Sequence, residues 1–150
     1  MARMRTLLVA GLLFSACATT GSSVAVEGND LDVSLLAGTW EGTYEGTQSG
    51  RKGVVKLDLA AGNRVAEGKV MMNSLADPAN VRELSIKFMQ VGGRKLSGTI
   101  TPYSDPQCNC TVETEFTGTM HGDTISGTFQ SGPVGSAKQP AGTWTASRKR

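Results

Sequence analysis

One pattern constrains this chain more than any other. An apolar residue and a glycine alternate with polar positions, and a second apolar residue follows. It reads Trp40-Glu41-Gly42-Thr43-Tyr44, Ala66-Glu67-Gly68-Lys69-Val70, Leu96-Ser97-Gly98-Thr99-Ile100, Phe116-Thr117-Gly118-Thr119-Met120 and Ile125-Ser126-Gly127-Thr128-Phe129. Gly142-Thr143-Trp144 is a partial copy. Successive strand residues point to opposite faces, so each glycine shares its face with the apolar pair, and that face is the interior. Glycine weakens a strand unless a tight bend or a close approach calls for it. Inward glycines on six strands therefore predict strongly coiled strands around a narrow core.

Period-two patterning marks eight strands: 38–44, 54–59, 64–72, 82–91, 95–101, 110–120, 124–130 and 141–147. No run carries helical spacing. Short strands separated by Gly- and Asn-marked turns imply an all-β barrel or sandwich. The connections at 60–63, 92–94 and 121–123 are short, whereas those at 45–53, 73–81, 102–109 and 131–140 are long. This strict alternation predicts an eight-stranded antiparallel up-and-down barrel, with a two-sheet sandwich as the alternative. One end is closed by tight turns and carries both termini. The other is a mouth ringed by long loops, where ligand sites concentrate. Inward residues nearest the mouth are Tyr44, Met72, Leu84, Ile100, Val112 and Phe129. They form either a packed core or the lining of a small apolar pocket. The outward face carries Thr, Ser, Glu and Lys, which does not suit lipid contact along the strands.

The chain has 150 residues, a one-domain length. Its first 16 form an export signal, with Arg3 and Arg5 ahead of a short apolar stretch and small residues before Cys17. Without Arg3 and Arg5, basic and acidic residues balance at thirteen each. That balance argues against nucleic-acid binding, which needs a basic stripe. Residues 17–35, rich in Thr, Gly, Ser and Val, are expected to form a flexible tether to a domain at 36–148.

Leu13-Phe14-Ser15-Ala16-Cys17 resembles the lipobox of bacterial lipoproteins. The position three before the cysteine, usually Leu in that family, is Phe14 here. The resemblance implies that Cys17 is acylated, with palmitate among its chains. Because Ala18 rather than Asp follows, it implies lipid anchoring to the outer membrane. Ordinary cleavage after Ala18 is the alternative and would leave a soluble periplasmic or secreted protein. A second resemblance lies in the domain. Leu36-Ala37-Gly38-Thr39-Trp40 is similar to the Gly-x-Trp opening of lipocalins and other calycins, and the last strand ends in Arg148. The resemblance implies that Arg148 packs on Trp40 at the closed end. The short chain and its glycine content look closer to the avidin branch, although the polar biotin-binding set of that branch is absent.

Few residues offer chemistry. Cys108 and Cys110 are the thiols left after Cys17, and an oxidising envelope favours a disulfide between them. Reduced or intermolecularly paired cysteines are a second reading. A soft-metal or redox site, with Met72 on the same rim, is a third. His121, the single histidine, sits in the turn His121-Gly122-Asp123. Glu113 and Glu115 share a strand face, and paired carboxylates can run glycoside hydrolysis, but alternation places that face in water. Gly92-Gly93 does not join a strand to a helix and is no phosphate loop. Arg148-Lys149-Arg150 forms a solvated tail or contacts anionic lipid. Tyr103 is expected as an exposed aromatic on a long loop.

Three functions follow as expectations. The first is a non-enzymatic envelope lipoprotein that binds a small apolar ligand in the barrel mouth. The second is an interaction module, an inhibitor or assembly factor, acting on an envelope protein through Tyr103 and Pro133-Val134. The third is a metal or redox role for Cys108 and Cys110. No cofactor and no resident metal are expected.

Overall fold

A computed structural model describes residues 23–28, 30–47, 49–60, 65–73, 79 and 81–150. The elements are β1 (Ser23–Glu27), α1 (Asp30–Leu36), β2 (Gly38–Gly46), β3 (Lys52–Ala60), β4 (Val65–Asn73), β5 (Val81–Gly92), β6 (Lys95–Asp105), β7 (Cys110–His121), β8 (Thr124–Pro133) and β9 (Gln139–Arg148). Strands β2 to β9 pair antiparallel with their sequence neighbours, and β2 pairs with β9 to close an eight-stranded barrel. The sandwich alternative is excluded by that closure.

The alternating pattern becomes the wall. Trp40, Leu57, Leu96, Phe116, Ile125 and Trp144 point inward and are buried. The glycines of the repeat let neighbours come close. A Cβ on Gly127 would lie 1.8 Å from the Thr117 carbonyl oxygen of the adjoining strand. One on Gly118 would lie 2.6 Å from the Trp144 ring, which occupies the space that Gly118 leaves. Tight hairpins close one end. Gly93 and Arg94 both have positive φ (57° and 66°), the type I′ geometry that suits the twist of flanking strands.

The closed end is sealed by Trp40, fully buried, whose indole Nε1 donates to the Leu36 carbonyl at 2.8 Å. The Arg148 guanidinium lies 4.2 Å from the Trp40 ring centroid. It also donates to the carbonyls of Ala37 and Leu35 and to Asp123. The cations of the C-terminal tail are engaged rather than free: Lys149 pairs with Glu41, and Arg150 with Asp123.

The expected tether at 17–35 needs correction from Ser23 onward. Strands β4 and β5 pair only between Lys69–Asn73 and Val81–Ser85, and they separate toward the closed end. Strand β1 fills that gap, antiparallel to β4 and parallel to β5. Val26, Val33 and Leu36 are buried in the core. Ser23 therefore stands in the wall opposite Glu67, partway up the barrel, and Arg148, near the C-terminus, lies at the closed end. Helix α1 was not expected either, because its seven residues give barely two turns of periodicity. The signal segment 1–16 and Cys17 lie outside the described residues. Among the described residues, no helix is long and apolar enough to cross a membrane.

Candidate functional site at the barrel mouth

The strands run further toward the mouth than alternation alone indicated. Strand β6 reaches Asp105, β8 reaches Pro133 and β9 begins at Gln139. The mouth connections shorten to 47–51, 74–80, 106–109 and 134–138. A β-bulge interrupts β6 between Ile100 and Tyr103, where Thr101 and Pro102 oppose the single residue Glu113 on β7. One extra residue reverses which side chains face inward. Tyr103 and Asp105 thus turn into the barrel, and the expectation of an exposed Tyr103 is corrected.

Below the mouth lies a mostly apolar cavity of about 80 Å³. Of the six residues expected near the mouth, Tyr44, Met72, Leu84, Ile100 and Phe129 line it. Val112 lines instead an outer vestibule of about 240 Å³, which shares Tyr44, Met72, Tyr103 and Phe129 with the cavity. Tyr44 and Phe129 meet edge to face, with ring centroids 5.9 Å apart. Hydroxyl groups enter the cavity wall with Tyr44, Tyr103, Thr114 and Ser131. The hydroxyls of Thr114 and Ser131 bond to each other at 2.8 Å. A wide concavity on the outer wall is lined by hydroxyls of Ser97, Thr117, Thr119, Ser126 and Thr128. Those are the ordinary solvent-facing residues of β6, β7 and β8.

The vestibule holds an ion pair that the sequence did not reveal. Arg51 Nη1 donates to Asp105 Oδ2 and Arg51 Nη2 to Asp105 Oδ1, each at 2.7 Å. Both side chains are about nine-tenths buried, with 11% of each exposed. The β2–β3 turn sets Arg51, through a bond from Gly46 N to the Arg51 carbonyl at 2.7 Å. Asp105 ends β6 and accepts a bond from Gln107 N at 2.9 Å, a local turn typical of aspartate. The pair therefore spans the mouth from the β2–β3 side to the β6–β7 side. Arg51 holds the Asp105 carboxyl below the usual carboxylate range, outweighing the opposing effect of burial. Asp105 in turn pushes the Arg51 guanidinium higher still. Burial raises the Tyr103 hydroxyl above the ordinary phenol range.

Cys108 and Cys110 form a disulfide at the β6–β7 tip. Asn109 between them has φ 49°, a left-handed conformation that asparagine tolerates better than most residues. Among the described residues, no group of three or more His, Cys, Asp or Glu is placed to hold a metal. Lys138 sits between Glu113 and Glu115, at 3.4 and 3.0 Å. Those carboxylates belong to an ion-pair cluster on the outer wall. His121 is exposed in the β7–β8 hairpin, remote from the mouth. Val134 projects into solvent at the rim, half exposed.

No protein-family model matches the chain. No curated protein matches it. A solved structure similar to it is the crystal structure of Rv2717c from M. tuberculosis, 12% identical, with a TM-score of 0.44. The similarity covers 83% of this chain and 99% of that one. At that identity and superposition it assigns no role to any residue.

Proposed function

We propose that this chain is a non-enzymatic envelope protein, lipid-anchored through Cys17 to the outer membrane, whose barrel holds a small and mostly apolar ligand. One observation carries the reading: the eight-stranded wall is not filled at its mouth end. Tyr44, Met72, Leu84, Ile100 and Phe129 surround about 80 Å³ of space there. A barrel of eight strands is wide enough for side chains to fill or for one small ligand. Close packing normally leaves few voids larger than a water molecule. An apolar void that opens into a polar vestibule is the form small-ligand sites take. The lipid anchor is supported by the lipobox-like Ser15-Ala16-Cys17, and export suits the Cys108–Cys110 disulfide.

The interaction-module reading keeps one supporting feature, the exposed Val134 beside Pro133. It loses Tyr103, which faces the barrel interior.

A cavity-filling substitution tests the proposal. Ile100→Phe should fill the inner space and abolish binding of small, mostly apolar probes such as 1-propanol or 1-butanol, followed by ligand-observed NMR. Undiminished probe binding in a folded Ile100→Phe protein would sink the reading.

A further inference from the structure

We infer that the mouth selects short-chain monocarboxylates, with the alkyl tail in the inner cavity and the carboxylate on Arg51. This inference rests on the small-ligand reading above and names the class of ligand.

Size limits the tail. The inner space, about 80 Å³, is roughly half of the ~150 Å³ that accommodates one benzene ring, so it takes a tail of about three carbons. Its wall includes Leu57, Ile86, Phe116 and Trp144, all buried, and the fully buried Trp40, Leu36 and Ile125 close the base of the barrel.

Charge selects the head. Arg51 and Arg82 both act on Asp105, each lowering its pKa by their charge. Arg82 also bonds to the Ser104 carbonyl beside it. A second guanidinium, held on the Ser104 carbonyl, thus stands near the Arg51–Asp105 pair and adds positive charge to the rim. Among the described residues, further charges near the rim pair on the outer wall: Lys52 with Glu45, Lys69 with Glu83, and Lys138 with Glu113 and Glu115. The acidic excess of that last cluster faces solvent.

Geometry favours a carboxylate over other anions of that size. A guanidinium carries five N–H donors in a plane, and the pair with Asp105 uses two. Those that remain can take a second carboxylate in the same fork geometry. Tyr44 and Tyr103 line the same vestibule as Arg51. The apolar wall beneath strengthens each of these contacts by excluding water.

The test is a calorimetric titration of the full chain with butanoate and hexanoate, with 1-butanol and 1-hexanol, and with dodecanoate. The short acids should bind about tenfold or more tightly than the matched alcohols, as expected for a charge-assisted bond. Dodecanoate should bind no better than hexanoate. Arg51→Met should lose the preference for acids and keep alcohol binding. Arg51→Lys, which keeps the charge without the fork, should retain part of it. Equal binding of acids and alcohols by the unmodified chain overturns the inference and leaves the small-ligand reading standing. An unchanged preference in Arg51→Met also overturns it. If neither acids nor alcohols bind, both readings fail together.

Discussion

Arg51 and Asp105 are separated by 54 positions in sequence and meet through two bonds of 2.7 Å across the mouth. Removing one partner of such a pair strands the other charge in a poorly hydrated place. Asp105→Asn should therefore cost about 3 kcal/mol in a urea titration. The sign of the pH dependence follows from the lowered Asp105 pKa. The contribution is complete above the unfolded carboxylate value, near pH ~4, and is lost as pH falls below it toward the folded value. The unmodified chain should lose stability in that window more steeply than Asp105→Asn does. Equal acid profiles would show that the pair adds nothing. At the closed end, Arg148 stacks on Trp40 and bonds two carbonyls at once. Lysine has neither the plane nor the number of donors. Arg148→Ala and Arg148→Lys should both lower the melting temperature, by several degrees for a loss of about 2 kcal/mol. Full rescue by lysine would contradict that account.

Elements were legible in proportion to their regularity. Strands β2, β3, β4, β5, β6, β7, β8 and β9 were all anticipated, because alternation and inward glycines repeat along each. Their ends at the mouth were not, because Pro102 and Pro133 resemble loop residues. The bulge after Ile100 has no period of its own, and strict alternation across it puts Tyr103 and Asp105 on the wrong side. Arg51 gave no signal, since its role depends on a partner on a distant strand. Strand β1 and helix α1 are too short to show a period, and the gap they fill is visible only once β4 and β5 are seen to separate. The glycine repeat itself yields a graded prediction. At Gly127 an added methyl group would meet the backbone of β7, which is fixed by its own ladder. At Gly118 it would meet the edge of the Trp144 ring. Gly127→Ala should be the more damaging, and Gly118→Ala should cost about 1–3 kcal/mol, as overpacked cores do. Thermal melts of the two variants in the reverse order would contradict the assignment of close backbone approach to Gly127.

At the scale of the whole molecule, the barrel is solid at one end and hollow at the other. Trp40, Leu36 and Ile125 close the base with almost no exposed surface. Above them the wall widens into the small cavity and then the charged vestibule. Ser23, the first described residue, stands in the wall opposite Glu67 of β4. Only positions 18–22 then lie between Ser23 and the proposed lipid on Cys17, so the barrel is expected to sit within about 20 Å of the bilayer surface. The most direct test of the central claim is native mass spectrometry of the protein, produced with its own signal and purified without denaturant. A small-molecule adduct that disappears in Ile100→Phe is the predicted result. A bare protein mass in both, with no adduct recovered on adding short carboxylates or alcohols, would contradict a ligand-holding barrel.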